Sequence, residues 1–141
     1  MITPISKNYK GLISITGPTR SGKSKLAEFL ITEQNLVTYI ATSKPRPNDQ
    51  DWQKRIDLHR KRRPVSWTLI EHPNDICKEI ESIKGNQSIL IDSLGGLVEQ
   101  HLIEDDDLWN KFQIKFLNCL SDDNLCIVVV SEEVGWGIVP A

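Results

Sequence analysis

The chain has 141 residues, enough for one domain with a sizeable hydrophobic core. Its 17 Lys and Arg against 19 Asp and Glu leave a net charge of −2, which excludes the basic excess typical of nucleic-acid-binding proteins, so we expect no nucleic acid partner. No apolar run approaches the length of a membrane span, and no signal-peptide pattern opens the chain. We therefore expect no membrane span and a cytoplasmic protein, with free thiols at the three cysteines.

Strand and helix patterns alternate along the chain. Residues 1–10 form a polar lead-in, and the predicted domain spans residues 11–141. Short apolar or β-branched runs predict strands at 12–16, 36–41, 66–70, 88–92 and 125–130. Helical spacing and helix-start signals predict helices at 25–31, 51–62, 73–84, 94–103 and 105–120. The alternation predicts an α/β fold in which helices flank a mainly parallel sheet.

The most specific motif lies between the first predicted strand and the first predicted helix. It matches the phosphate-binding pattern G-x-x-x-x-G-K-[ST] at every position. In such a loop, backbone N–H groups converge on phosphate oxygens, while the Lys reaches the β- and γ-phosphates and the Ser ligates Mg²⁺. A chance glycine-rich turn is the alternative, but the flanking strand and helix favour a phosphate site. The motif predicts the three-layer P-loop NTPase (RecA-like) fold, with nucleotide-binding candidates Gly17, Pro18, Thr19, Arg20, Ser21, Gly22, Lys23 and Ser24.

A carboxylate follows a later strand in the position expected beside a P-loop. The aliphatic run 89–91 ends at Asp92, which is the pattern of a strand that delivers an acidic side chain to bound Mg²⁺. Apolar runs that end in Asp are common, so the upstream P-loop carries most of this inference. Ser24 and Asp92 are the candidate metal ligands.

A histidine and a basic cluster occupy the end of the second predicted helix. Arg55 and His59 are four residues apart and share a helix face, and the sequence R-K-R-R follows at 60–63. One interpretation is a solvated basic face with a partly exposed histidine. The other is that His59 is a nucleophile or an acid/base group beside a triphosphate that arginine side chains hold by paired hydrogen bonds. Spacing alone leaves both interpretations open.

The chain resembles the bifunctional adenosylcobinamide kinase/adenosylcobinamide-phosphate guanylyltransferase family of cobalamin biosynthesis. The resemblance extends from residue 11 onward, and its matching phrases are residues 17–24, 39–42, 55–64, 67–71, 88–92 and 133–140. The last phrase is the most telling, because P-loop architecture in general does not require it.

The resemblance implies a two-step transferase. A nucleoside triphosphate phosphorylates adenosylcobinamide, and GTP then donates GMP to the new phosphate through a covalent GMP–histidine intermediate, for which the matching residue is His59. It implies nucleotide contacts from Thr42, Ser43, Lys44, Arg60, Lys61, Arg62, Arg63, Glu71 and Asp92. It also implies GTP, ATP and the corrinoid as substrates, Mg²⁺ as cofactor and a homotrimer.

Two features depart from the family pattern. Relatives continue for a further helix and strand after the phrase at 133–140, whereas this sequence ends at Ala141, so we expect a C-terminally short domain. Gly95 and Gly96 stand where relatives more often have bulkier residues. A P-loop small-molecule kinase without guanylyltransferase activity and a non-catalytic nucleotide-binding fragment are the alternatives.

Overall fold

The structure, a computed structural model, describes residues 2–83 and 87–133. Within these ranges the strands are β1 (Gly11–Gly17), β2 (Leu36–Ala41), β3 (Thr68–Glu71), β4 (Gln87–Asp92) and β5 (Cys126–Glu132). The helices are α1 (Lys23–Leu30), α2 (Gln50–Arg62), α3 (Ile76–Ser82), α4 (Leu94–Gln100) and α5 (Asp106–Leu120). The Gly85-Asn86 pair, whose sequence predicts a turn, and residues 134–140 of the family phrase lie outside the described residues.

The five strands form one sheet in the order β1-β5-β4-β2-β3, and every pairing is parallel. The predicted α/β fold with a parallel sheet and flanking helices is therefore confirmed. Register brings Gly17 opposite Glu132, and Ala41 opposite both Glu71 and Asp92. The carboxyl ends of all five strands thus meet at one edge of the sheet, where ligands gather in open α/β folds.

The core has two parts, one on each face of the sheet. Alternate residues of β4 and β5 point to opposite faces because side chains alternate along a strand. Ile89 and Ile127 pack with α3, α4 and α5 on one face, whereas Leu90 and Val128 pack with α1 on the other. Because β4 and β5 are covered on both faces, their sequences are almost continuously apolar, as expected for buried parallel strands.

Element boundaries differ from prediction where a local turn or cap competes with the apolar pattern. The turn that Trp67 N–H closes on the Pro64 carbonyl (3.1 Å) delays β3 to Thr68. The helix predicted from residue 73 begins at Ile76 instead, because the Asp75 side chain caps it by accepting from Lys78 N–H (3.1 Å).

The lead-in packs on the P-loop helix. Ile5 N–H donates to the Leu30 carbonyl (2.8 Å), the Gln34 side chain donates to the Ser6 carbonyl (2.7 Å), and Ile5 contacts the core beside α1. In the part of the chain that the structure describes, no helix combines the length and apolarity needed to cross a membrane.

Candidate active site

The phosphate loop connects β1 to the positive end of α1. Gly22 precedes α1 with φ +85°, a left-handed conformation that glycine adopts without steric cost. The first turn of α1 has no acidic residue, and no side chain in the described residues caps it. The Lys23 ammonium donates to the Pro18 carbonyl (3.0 Å) and so lies over the loop. The helix N-terminus and Lys23 together form a cradle suited to an anion.

A pocket of about 400 Å³ opens over this loop at the carboxyl edge of the sheet. The predicted site residues that line it are Thr19, Arg20, Ser21, Gly22, Lys23, Ser24, Ser43, His59, Arg60, Arg62, Arg63, Glu71 and Asp92. The remaining predicted residues do not line the pocket. Gly17 ends β1, Pro18 accepts from Lys23, Thr42 is fully buried under the strand ends, and Lys44 and Lys61 are exposed to solvent.

One face of α2 forms the wall opposite the phosphate loop. Asp49 caps the helix by accepting from Trp52 N–H (3.0 Å). Trp52, Ile56 and His59 then recur at helical spacing and line the pocket together with Arg55. The structure therefore brings His59 and three of the four residues of the basic cluster to the same cavity as the P-loop, as the functional interpretation of this segment requires. Arg60 also lies near the Glu71 carboxylate, with 3.7 Å between Nη2 and Oε1.

His59 and Arg62 both approach Glu28, a buried carboxylate on α1. Arg62 Nε donates to Glu28 Oε2 (2.9 Å), and His59 Nδ1 lies 3.9 Å from Oε1. Burial lowers the pKa of His59, and the neighbouring Arg62 charge lowers it further, while Asp92 opposes both effects. Burial raises the pKa of Glu28 against the opposing influence of Arg62. The lowered pKa of His59 favours the neutral imidazole, the form in which a ring nitrogen is nucleophilic.

Asp92 is held in place at the end of β4 by a neighbouring strand. The Tyr39 hydroxyl donates to Asp92 Oδ2 (2.7 Å), and the Arg63 guanidinium lies 4.3 Å from the centre of the Tyr39 ring. Burial and then the Asp92 charge raise the pKa of Tyr39 well above its ordinary value, so its hydroxyl stays a donor. Through Tyr39, these contacts connect Arg63, the residue that follows α2, with the Asp92 carboxylate in the pocket.

Thr42 joins β2 to the turn that follows β4. Its hydroxyl donates to the Ser93 carbonyl (2.6 Å) and accepts from Ser93 N–H (2.8 Å). Gly96 of α4 packs directly against this turn, because a Cβ at Gly96 would overlap Thr42 Oγ1 and lie 2.9 Å from Ser43 N. A glycine at position 96 thus has a physical cause, the close approach of α4 to the end of β2.

We expect Gly96→Ala to lower the free energy of unfolding by about 1–3 kcal/mol, the usual cost of overpacking. Alanine is the better helix former by about 1 kcal/mol, but the overlap involves backbone atoms that cannot move aside. Gly95→Ala is the matched control, since the atoms nearest to its Cβ would belong to the Glu132 and Ser93 side chains rather than to the backbone. Urea unfolding of the two variants measures the difference, and equal loss in both would contradict this explanation.

Several pocket residues were not among the predicted candidates. Tyr39, Ser93 and Glu132 line the pocket, and Ser93 Oγ donates to Glu132 Oε1 (2.6 Å) beside the P-loop. Glu28 lies behind His59. The sequence signal for Glu28 is an acidic residue inside the otherwise apolar run 26–31, where a solvated carboxylate is not expected.

The other two histidines make contacts outside the pocket. His72 Nδ1 lies 3.1 Å from the Thr42 carbonyl and 3.0 Å from the Gln100 side-chain nitrogen. His101 Nδ1 lies 2.7 Å from Glu104 Oε2, and its ring stacks on Phe112 at 3.9 Å between centroids. These contacts indicate structural roles for both residues.

The fold and the pocket define a nucleotide-binding α/β protein of the P-loop class. Residues 13–141 match the CobU family, described as cobinamide kinase / cobinamide phosphate guanyltransferase, and the chain belongs to this family of transferases. The resemblance inferred from the sequence is therefore confirmed.

Three curated relatives carry the name bifunctional adenosylcobalamin biosynthesis protein. CobP of Pseudomonas aeruginosa is 36% identical over 129 residues, which cover 89% of this chain and 73% of that protein. CobU of Escherichia coli is 32% identical over 144 residues, and CobU of Salmonella typhimurium is 31% identical over 148 residues. Both alignments cover 92% of this chain and 78% of the relative.

Proposed function

We propose that this protein phosphorylates adenosylcobinamide with a nucleoside triphosphate and then transfers GMP from GTP to adenosylcobinamide phosphate. We further propose that GMP is carried as a covalent intermediate on His59. The observation that carries the proposal is that His59 lines the same pocket as the P-loop, in surroundings that lower the pKa of its imidazole. A phosphate ligand alone would not need a nucleophile at this place.

In the kinase step, the P-loop holds the triphosphate of the donor. The N-terminus of α1 and Lys23 offset the negative charge that moves onto the leaving nucleoside diphosphate. The substrate hydroxyl forms the new bond to the γ-phosphorus, the bond from that phosphorus to the β-phosphate oxygen breaks, and the hydroxyl proton is released. Arg20, Arg60 and Arg62 line the pocket and supply further positive charge around the phosphates.

In the guanylyltransferase step, a His59 ring nitrogen attacks the α-phosphorus of GTP. A nitrogen–phosphorus bond forms, the bond to the β-phosphate breaks, and pyrophosphate leaves. A phosphate oxygen of adenosylcobinamide phosphate then attacks the same phosphorus and returns the imidazole. One difficult displacement is thereby divided into two easier ones. Glu71, at the end of β3 on the pocket wall, is the candidate contact for the guanine edge or the ribose.

We propose that Ser24 and Asp92, which both line the pocket, would hold a Mg²⁺ ion. Among residues 2–83 and 87–133, no cluster of three or more His, Cys, Asp or Glu side chains forms a metal site of protein ligands alone. Mg²⁺ is instead commonly held by one or two carboxylates together with substrate phosphates and water, which one hydroxyl and one carboxylate beside a P-loop can provide. Bound there, the ion would neutralise phosphate charge. The homotrimer implied by the family resemblance and the cytoplasmic location expected from the sequence stay predictions.

The test is covalent labelling with [α-³²P]GTP. We expect the protein to retain acid-labile, alkali-stable label, and His59→Asn to reduce it to background because the attacking nitrogen is lost. His72→Asn is the matched control, since His72 lies outside the pocket and asparagine tolerates its positive φ of 45°.

Two outcomes would contradict the proposal. Label that persists in His59→Asn would place the nucleophile elsewhere. Saturable GTP binding without any label in the unmodified protein would favour a P-loop kinase that lacks the guanylyltransferase step, or a nucleotide-binding protein without catalysis. Transfer of γ-phosphate to adenosylcobinamide separates these two.

A further inference from the structure

We propose that Glu28 is the residue that positions His59, holding the Nδ1–H side of the ring so that Nε2 is the nitrogen that attacks phosphorus. The inference rests on the proposed covalent function of His59 and adds a role for a residue that belongs to neither the P-loop nor the basic cluster. It is carried by the placement of one buried carboxylate between two helices that bound the pocket.

The first observation is that the two carboxylate oxygens of Glu28 make different contacts. Oε2 accepts from Arg62 Nε at 2.9 Å. Oε1 is buried, makes no hydrogen bond to any residue that the structure describes, and lies 3.9 Å from His59 Nδ1. A buried carboxylate oxygen is costly to leave without a donor. A shift of about 1 Å would bring the imidazole N–H to Oε1, and hydrogen bonds at active sites often tighten in this way when substrate binds.

The second observation is that Glu28 is exposed by only 7% and stands on the P-loop helix, one turn after Ser24. A contact from α1 to His59 on α2 therefore couples the position of the nucleophile to the element that holds the phosphates. This arrangement matches the common logic in which a base or nucleophile is oriented by a third group.

The chemistry gives the carboxylate a defined task. When Nε2 attacks the α-phosphorus, the nitrogen–phosphorus bond forms, pyrophosphate departs, and the ring, still protonated at Nδ1, becomes a cation. A carboxylate beside Nδ1 stabilises that cation and fixes the tautomer with a free Nε2. When the acceptor phosphate breaks the nitrogen–phosphorus bond, the ring regains its neutral form with the same Nδ1 proton. No proton is gained or lost over the cycle.

The competing explanation is that Glu28 only anchors Arg62 to α1. The two explanations predict different tautomers of the His59 imidazole. If Glu28 only binds Arg62, its loss affects how much enzyme is correctly folded but not which nitrogen of His59 carries the proton. Other charges also face His59. Arg55, Arg62 and Arg63 lie on or just after its own helix and Asp92 lies on β4, so the effect of Glu28 has to be measured against theirs.

The experiment compares Glu28→Gln with Glu33→Gln, which removes an exposed carboxylate just after α1. In Glu28→Gln we expect GMP labelling to be about 10- to 100-fold slower with unchanged GTP affinity, since a misplaced reacting group costs about that much. Labelling rises with pH as His59 loses its proton. Removing a neighbouring negative charge favours the neutral ring, so this rise moves to lower pH in the variant. Glu33→Gln changes neither property.

A second measurement does not depend on activity. In ¹⁵N-labelled protein, we expect the His59 ring to be protonated at Nδ1 in the unmodified chain and to lose this preference in Glu28→Gln. Arg62→Met separates the two explanations, because it removes the anchor but retains the carboxylate, and we expect the Nδ1–H tautomer to persist. If Glu28→Gln leaves the tautomer and the pH profile unchanged, the inference is overturned even when labelling slows. If the unmodified protein takes no label, the proposed function fails while the tautomer still tests the Glu28 contact.

Discussion

Lys23→Met is expected to lower the rates of both phosphoryl transfer and GMP transfer by about 100- to 1000-fold, the usual effect of removing one group that stabilises charge in the transition state. Lys23 is buried beside the loop, and its ammonium already lies on the phosphate side, where it donates to the Pro18 carbonyl. Methionine has nearly the same length and apolar stem, so the packing of α1 is retained while the charge is lost. Single-turnover rates with labelled GTP and ATP provide the measurement.

The matched control for this experiment is Lys78→Met, which removes one lysine from the exposed surface of α3. It should leave both rates unchanged, because Lys78 is not a pocket residue. If Lys23→Met bound GTP and transferred GMP at the rate of the control, the phosphate-binding role of the loop would be wrong. A selective loss of one reaction would mean that the two triphosphates bind differently in the pocket.

The sheet was predictable because its strands are buried on both faces. β2 was predicted at its observed bounds, and β1, β4 and β5 within one or two residues, since continuous apolar runs are the signature of parallel strands under helices. The start of α3 was less predictable. Pro73 favours the first turn of a helix, but the Asp75 cap prevails and sets the start at Ile76. Which of two such local signals sets the start of a helix depends on packing, which cannot be read from the sequence.

The candidate site was predictable only where its residues are contiguous. Residues 17–24 carry their function in a fixed local pattern, so the loop was visible without a structure. The contact between Glu28 and Arg62 joins residues 34 positions apart, and that between Tyr39 and Asp92 joins residues 53 positions apart. No rule of sequence spacing predicts either contact, because each depends on how a helix or strand packs against its neighbour. The sequence showed the nucleophile candidate His59 but not the carboxylate beside it.

Asp92→Asn is expected to reduce both transfer reactions by about 100-fold, which corresponds to about 2.7 kcal/mol of transition-state stabilisation. Asparagine retains an oxygen that accepts from the Tyr39 hydroxyl, so the end of β4 stays in place. What is lost is the negative charge that, together with Ser24, would hold Mg²⁺ beside the phosphates. We therefore expect the variant to need a higher Mg²⁺ concentration for half-maximal rate, measured by titrating Mg²⁺ in single-turnover assays.

Tyr39→Phe separates the charge of Asp92 from its positioning. This variant removes the 2.7 Å hydrogen bond but leaves the carboxylate, so we expect a stability loss of about 1 kcal/mol and a rate loss of less than about 10-fold. If Tyr39→Phe instead lost as much rate as Asp92→Asn, the hydrogen bond rather than the charge would be the important feature of this position.

If Asp92→Asn reached its half-maximal rate at the same Mg²⁺ concentration as the unmodified protein, Asp92 would not be a ligand of the metal. A higher requirement in Asp92→Asn alone would mean that the carboxylate serves the metal and that Tyr39 only orients it.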